Sequence, residues 1–361
     1  MIRVIINSFF VKKVVHPPWL RNCKRKAFKN LFFFLFNMTI LIALGMIIFS
    51  SIIIYFAGER FAESSSKIGD YFNLPRDVKG ATFDAVSSSL PELLVVLYSV
   101  IFFKQFEVGI GTIAGSALFN LLVIPGICVF VAPLAFKVSK KVIIRDALFY
   151  MIAVFVLIIL LIYFKTWGLI IALLLLFIYF LYIKDIISHA RVHKKKHRHK
   201  KSEEIKLSKE FLTFFLLMLV IGVFTFLLTD SAIDLSHALG VSPIIIAFTI
   251  IAAATSVPDT VISVINAKKG DIDDATSNVF GSNIFDILVG IGLPLLIYVL
   301  YKGAVIIEFA NLEIVLGLLG STILLLYFFA EDRKLNRKQA GILLFMYLIF
   351  VVYTVFLAKG L

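Results

Sequence analysis

Ser88-Ser89-Leu90-Pro91-Glu92 and, further along the chain, Thr255-Ser256-Val257-Pro258-Asp259 decide how this sequence folds. Each pentad places two hydroxyl residues, an apolar residue, a proline and an acid inside a long apolar run. Downstream, Gly115-Ser116-Ala117-Leu118-Phe119-Asn120 answers to Gly281-Ser282-Asn283-Ile284-Phe285-Asp286. Glu92 to Gly115 is 23 residues and Asp259 to Gly281 is 22, so the spacing repeats along with the motifs. The chain is therefore two copies of one unit.

Those units are built for lipid. Of 361 residues, 60% are hydrophobic and 16% charged, against roughly 50% and 25% in soluble domains. A membrane span needs about 20 apolar residues. Apolar runs fall at 31–56, 81–103, 109–133, 145–164, 167–184, 210–229, 243–267, 277–301, 310–330 and 340–358. The expected fold is an all-α integral membrane protein of ten transmembrane helices. This excludes a water-soluble enzyme, a secreted disulfide scaffold and a large extramembrane domain. Cys23 and Cys128 lie far apart and suggest neither a disulfide framework nor a thiolate metal site.

The boundaries follow. Residues 1–30 are a basic tail, 31–183 the first five-helix repeat, 184–209 a His/Lys-rich loop and 210–361 the second repeat. Five is odd, so the second unit must enter the membrane inverted relative to the first. Inverted repeats are an architecture of secondary transporters, with substrate sites near the midplane where the repeats meet.

Charge orients the chain. The net charge is +13, but the basic residues sit between apolar runs, which suits topology and anionic headgroups rather than nucleic acid. The loops after spans 1, 3, 5, 7 and 9 carry 24 of the 36 Lys and Arg. The positive-inside rule then places the central loop in the cytoplasm of a multi-pass protein of the plasma or cell membrane. The tail, with eight basic residues before Asn30, argues the reverse.

Pro91 and Pro258 each remove a backbone donor and clash with the preceding turn, so their spans should break there. The freed carbonyls are tolerable in lipid only where protein, water or an ion meets them. Beside them stand Glu92 and Asp259, with Ser88, Ser89, Thr255 and Ser256. All are oxygen ligands, as calcium prefers, and no thiolate or histidine argues for zinc or copper. Intramembrane acids are functional candidates, so Glu92, Asp259 and Asp286 head the site. Two unpaired carboxylates cannot be occluded cheaply in a low dielectric, so a carrier should switch sides only when cations neutralise them. Asn283 and Asp286, three residues apart, share a helix face and read as ligands or ligand-orienting groups. Asn120, at the first-repeat position of Asp286, joins them. For Gly115, Ser116, Gly281 and Ser282, close helix packing is at least as good a reading as ion contact.

These paired motifs resemble the alpha repeats of the calcium/cation antiporter superfamily, the sodium/calcium exchangers. The likeness is closest to the potassium-dependent branch. It includes Gly80-Ala81-Thr82-Phe83, Gly109-Ile110-Gly111-Thr112, Gly115-Ser116-Ala117, Arg145-Asp146 and the stretch from Ala267-Lys268-Lys269-Gly270-Asp271 to Asp286. The resemblance implies exchange of Ca2+ for Na+, with K+ as a candidate co-ion. It implies Glu92 and Asp259 as central calcium ligands, Ser88, Ser89, Thr255 and Ser256 as further oxygens, Asn283 at a cation site and Asp286 in potassium coupling. No enzyme activity and no cofactor is expected, only transported ions.

Some positions depart from the family pattern. Ser87 and Ala254 replace the usual glycines before the hydroxyl pairs, and Val96 stands where the second repeat has Ser263. Asp84 reads as a first-turn aspartate favoured by the helix dipole. His189, His193, His197 and His199 belong to a polybasic segment better suited to headgroups than to a metal. The competing readings are a cation/proton exchanger using the same carboxylates, a cation channel and an intramembrane aspartyl protease. The last lacks a Gly-x-Gly-Asp motif.

Overall fold

A computed structural model describes residues 21–71, 85–193, 207–307, 309, 312–330 and 332–358. The chain divides into two units, Met1–Ile42 and Ala43–Leu361. In the first, residues 21–42 belong to the long helix α1 (Arg21–Tyr71). The second is a helical membrane body. The expected positions Gly80 to Asp84, His197 and His199 lie outside the described residues, as do the side chains of His189 and His193.

After α1 come α2 (Ala85–Ser88), α3 (Leu90–Ile101), α4 (Phe106–Val131), α5 (Lys140–Tyr163), α6 (Leu169–His193) and α7 (Leu207–Leu239). There follow α8 (Pro243–Ile246), a π-helical turn Ala247–Ile251, α9 (Ala252–Thr255) and α10 (Val257–Lys269). The chain closes with α11 (Ile272–Phe285), a second π turn Asp286–Gly290, α12 (Gly292–Lys302), α13 (Leu312–Ala330) and α14 (Arg337–Ala358).

Among the described residues, eight helices are long and apolar enough to cross a membrane, nine with the bent pair Pro243–Thr255 and Val257–Lys269 counted as one. The remaining segment expected to span has only the short apolar helix Leu90–Ile101 beyond its break. Both breaks fall where the prolines predict. Ser89 interrupts α2 and α3, with Pro91 in the first turn after it, and Ser256 interrupts α9 and α10, with Pro258 in the first turn. The second pair bends by 41°.

Four two-residue strands tie the loops together: β1 (Phe136–Lys137), β2 (Thr166–Trp167), β3 (Val305–Ile306) and β4 (Lys334–Leu335). β1 pairs antiparallel with β4, Phe136 opposite Leu335, and β2 with β3, Trp167 opposite Val305. Each small sheet thus joins a loop of the first half to a loop of the second.

The centre of the body is α4, whose most apolar stretch is 83% buried, while the corresponding stretches of α7 and α14 are 17% buried and turn outward. α3, α10, α11, α14 and the first π turn all pack on α4. Glycine makes this approach possible. A Cβ on Gly115 would overlap the Phe248 carbonyl oxygen and come within 2.7 Å of Ala252 Cβ. One turn earlier, a Cβ on Gly111 would lie 2.7 Å from Ile244 Cγ1. These two glycines, at i and i+4, let the segment 243–255 lie against the α4 backbone, as small residues do between membrane helices. Gly281 differs, since a Cβ there would meet only Tyr182 Oη at 3.7 Å and Ala85 Cβ at 4.0 Å.

The two motif glycines should therefore part company. Gly115→Ala forces a backbone apart and should cost about 3 kcal/mol or more, or prevent recovery of folded protein. Gly281→Ala should be neutral or gain a few tenths of a kcal/mol from helix propensity (about 1 kcal/mol at most). Thermal unfolding of the purified variants in detergent measures this. Equal loss in both would refute the packing role assigned to Gly115.

Candidate cation site

The two broken helices and the two glycine-serine helices converge on one cluster. Carboxylate oxygens of Glu92 (α3), Asp259 (α10) and Asp286 (start of the second π turn) all lie within 4.8 Å of one another. All three side chains are fully buried. So are Ser88, Ser89, Ser116, Asn120, Thr255, Ser256, Ser282 and Asn283, so every residue expected at the site is inside the protein.

The serines of the glycine-serine motifs serve the acids. Ser116 Oγ donates to Glu92 Oε1 at 3.3 Å and lies 2.8 Å from Ser256 Oγ. Ser282 Oγ donates to Asp259 Oδ1 at 2.7 Å and lies 3.2 Å from Ser88 Oγ. These are matching bonds in the two copies. Thr255 donates back to its own helix, to the Ile251 carbonyl at 3.1 Å, while standing beside Glu92.

The third motif position is asymmetric. Asn120 Nδ2 donates to Asp259 Oδ2 at 2.9 Å and to Asn283 Oδ1 at 3.0 Å. An ionised carboxylate only accepts, so chemistry fixes which end of the Asn120 amide faces Asp259. Asn283 Nδ2 in turn donates to the Ala117 carbonyl at 3.2 Å. The amide oxygen of Asn283 is thus already engaged. Asn283 orients its neighbours, and of this pair Asn120 Oδ1 is the amide oxygen left without a donor.

Asp286 occupies the Asn120 position of the second copy, where an ionised carboxylate, unlike an amide, has no proton to give Glu92. Both of its oxygens are buried without a hydrogen-bond partner, as are Glu92 Oε2 and Ser89 Oγ. The strongest charges acting on Asp286 are those of Glu92 and Asp259. At such separations each like-charged pair repels by about 3 kcal/mol, taking an effective dielectric near 20. Buried oxygens without donors, held together against repulsion, are what a cation would complete. One divalent ion, or several monovalent ions, offsets this charge.

Not every buried acid here needs an ion. Asp146, on α5, takes Arg145 Nε at 2.6 Å and Nη2 at 3.0 Å, with Ser277 Oγ at 3.0 Å and Tyr182 Oη at 3.4 Å. The protein supplies its counter-charge. Sequence reasoning also missed Asn278, one turn before Ser282, which donates to the Asp259 carbonyl at 3.2 Å and to Ser263 Oγ at 3.0 Å. Its position at i−4 from Ser282 was the available signal. Ser263 is therefore a partner of Asn278, and Val96, its counterpart, packs against Gly109.

Fold and site together define a polytopic membrane protein built around a buried cluster of three carboxylates and the hydroxyl and amide oxygens beside them. Residues 42–184 and 209–356 match the family described as sodium/calcium exchanger protein, and the chain belongs to that family. An uncharacterised membrane protein of Methanocaldococcus jannaschii is 26% identical over 310 residues, covering 86% of this chain and 97% of that one. The inner membrane protein YrbG of Escherichia coli is 28% identical over 265 residues, covering 71% and 80%. Human sodium/potassium/calcium exchanger 4 is 37% identical over 149 residues, which are 40% of this chain and 24% of that protein. In fold, the chain is similar to the sodium-calcium exchanger NCX_Mj soaked with Na+ and Sr2+. The TM-score is 0.62 at 24% identity, covering 87% and 98% of the two chains.

The unpartnered carboxylate makes a stability prediction. In buffer free of sodium and calcium, Asp286→Asn should unfold about 2–5 °C above the wild type, because a repelled buried charge is gone. Stabilisation by added Ca2+ should shrink in the same variant, since binding to the native state is what raises the midpoint. Melting curves with and without Ca2+ test both. An unaltered calcium-induced shift would remove Asp286 from the site.

Proposed function

We propose that this protein is a secondary antiporter exchanging Ca2+ for Na+ across a membrane by alternating access. The observation that carries this is the group of three buried carboxylates with unpartnered oxygens where two proline-broken helices meet. Ca2+ takes six to eight oxygens in flexible geometry. Glu92 and Asp259 would be its central ligands, with oxygens from Ser88, Ser89, Thr255, Ser256, Ser116, Ser282 and Asn120. Asn283 would hold the amides in register. Asp286, within 4.8 Å of both other acids, would strengthen Ca2+ binding by its charge, and because one divalent ion leaves a negative charge over, a monovalent co-ion would bind there as well, with K+ the candidate.

Exchange follows from electrostatics. The empty cluster is too negative to be closed off from water, so the protein changes sides only when Ca2+ or two or more Na+ offset the charge. An electrogenic ratio would add about 2.3 kcal/mol per net charge per 100 mV.

Ten helices in two inverted repeats, 31–183 and 210–361, complete the reading. The strand pairing supports it: an inverting two-fold that carries the first half onto the second turns the β1–β4 pair into β3–β2, and both pairs are present. The matched bonds Ser116 to Glu92 and Ser282 to Asp259 support it too. By its charge, the loop 184–209 lies in the cytoplasm, where it would rest on anionic headgroups, with the protein in the plasma or cell membrane.

Calcium uptake into sodium-loaded proteoliposomes, with sodium-free controls and with or without potassium, tests the proposal. Uptake should require the outward sodium gradient and fall to background in Glu92→Gln. Uptake driven by a pH gradient and indifferent to sodium would replace it with cation/proton exchange. Uptake needing neither gradient would mean a channel.

A further inference from the structure

Tyr150 lies on α5 one turn after Asp146, and both are fully buried on one face of that helix. Asp146 holds the start of α11 through Ser277, as described above. Tyr150 reaches further along the same helix. Its ring sits 5.8 Å from that of Phe280, and its hydroxyl faces the amide of Asn283, three residues on. On its other side the hydroxyl lies 3.4 Å from Thr322 Oγ1 of α13. Nothing said so far about ion binding uses this tyrosine.

Counting protons shows what it does. Thr322 has one hydroxyl proton and gives it to the Leu318 carbonyl at 2.8 Å. At the longer distance of 3.4 Å the same hydroxyl also points toward the Tyr150 oxygen, which keeps a lone pair for the Asn283 N–H beside it. The other Asn283 N–H goes to the Ala117 carbonyl, and its oxygen accepts from Asn120. Asn120 spends its second N–H on Asp259. Polar groups therefore run from Thr322 to Tyr150, which stands beside Asn283, and hydrogen bonds lead on from Asn283 through Asn120 to the Asp259 carboxylate. Both Asn120 N–H groups are committed, and Asn120 Oδ1 is the end of this run left without a donor.

We propose that Tyr150, backed by Thr322, is a positioning residue of the cation site, fixing the Asn283 and Asn120 amides so that Asn120 Oδ1 and Asp259 are presented to the ion in one geometry. This rests on the exchanger reading above and deepens it. The two halves differ here as well: aligning the starts of α5 and α13 sets Thr322 against Tyr150 and the apolar Leu318 against Asp146. The polar brace thus acts on the second-copy helix, the one that carries Asp286.

The test is direct Ca2+ binding to purified protein, alongside transport. Tyr150→Phe keeps the ring on Phe280 and removes only the hydroxyl. Calcium affinity should fall about three- to tenfold, the worth of one buried hydrogen bond. Half-saturating calcium for uptake should rise by the same factor, with saturated turnover and the ion-free melting midpoint little changed. In an Asn283→Ala background, Tyr150→Phe should have no further effect, whereas a merely structural loss would add. Thr322→Val should shift affinity in the same direction, and it decides the matter should Tyr150→Phe not fold. Tyr347→Phe, whose ring packs on Phe119, should bind as the wild type does. Wild-type affinity in Tyr150→Phe, or additive losses with Asn283→Ala, would overturn the relay. A wild-type protein that binds no Ca2+ would instead sink the exchanger reading on which the relay stands.

Discussion

Three carboxylates within 4.8 Å of one another, all fully buried, are the constraint that the rest of this molecule serves. Each negative charge in a low-dielectric slab needs an opposite charge or a set of donors. Asp146 receives both from the protein, through Arg145, Ser277 and Tyr182. Asp259 receives donors alone, from Ser282 and Asn120. Glu92 receives one long bond, and Asp286 receives none. That gradation separates an acid whose charge the protein itself meets from acids whose charge it leaves unmet.

Bringing these acids together requires unusual backbone at membrane depth. A continuous helix satisfies its own amides and presents only side chains. Pro91 and Pro258 interrupt two helices just before the acids, so each carboxylate sits in the first turn of a new helix. There the unpaired N–H groups and the helix dipole favour negative charge. Close approach is the other requirement. Gly111 and Gly115 remove side chains from one face of α4, and the broken helix 243–255 settles against the exposed backbone. The two adaptations work together: the break supplies the acid and the glycines bring the other copy's segment close to it.

The copies are alike in plan and unlike in detail. Asn120 gives a proton to Asp259, while the oxygens of Asp286 at the matching place have no hydrogen-bond partner. α4 continues as regular helix beyond Asn120, whereas a π turn begins at Asp286. π turns insert an extra residue and re-aim side chains, frequently at functional sites. One half thus provides a hydrogen-bonded wall and the other an uncompensated charge. A symmetric pair of acids would suit one divalent ion; the added Asp286 is what makes room for a second kind of cation in the proposed cycle.

Much of this was legible in the sequence. Repeated pentads, their proline positions and their spacing from the glycine-serine motifs located both helix breaks and all eleven side chains now found buried around the cluster, because covalent order and proline sterics are local properties. Apolar run lengths placed the helices, although one segment has only a 12-residue apolar helix beyond its break, since hydropathy does not register where a helix is cut. The sequence could not tell packing glycine from idle glycine. Gly115 and Gly281 head identical motifs, and only their neighbours distinguish them. Nor could it say which amide oxygen is free: Asn283 read equally as a ligand or a ligand-orienting group, and only the structure shows Asn120 donating to its oxygen. Tyr150 and Asn278 carried no motif at all. The sequence by itself determined which groups lie at membrane depth, through proline, hydropathy and repeat. Tertiary structure alone decided which are satisfied and which are left open, because hydrogen bonds between helices depend on three-dimensional proximity that chain order does not encode.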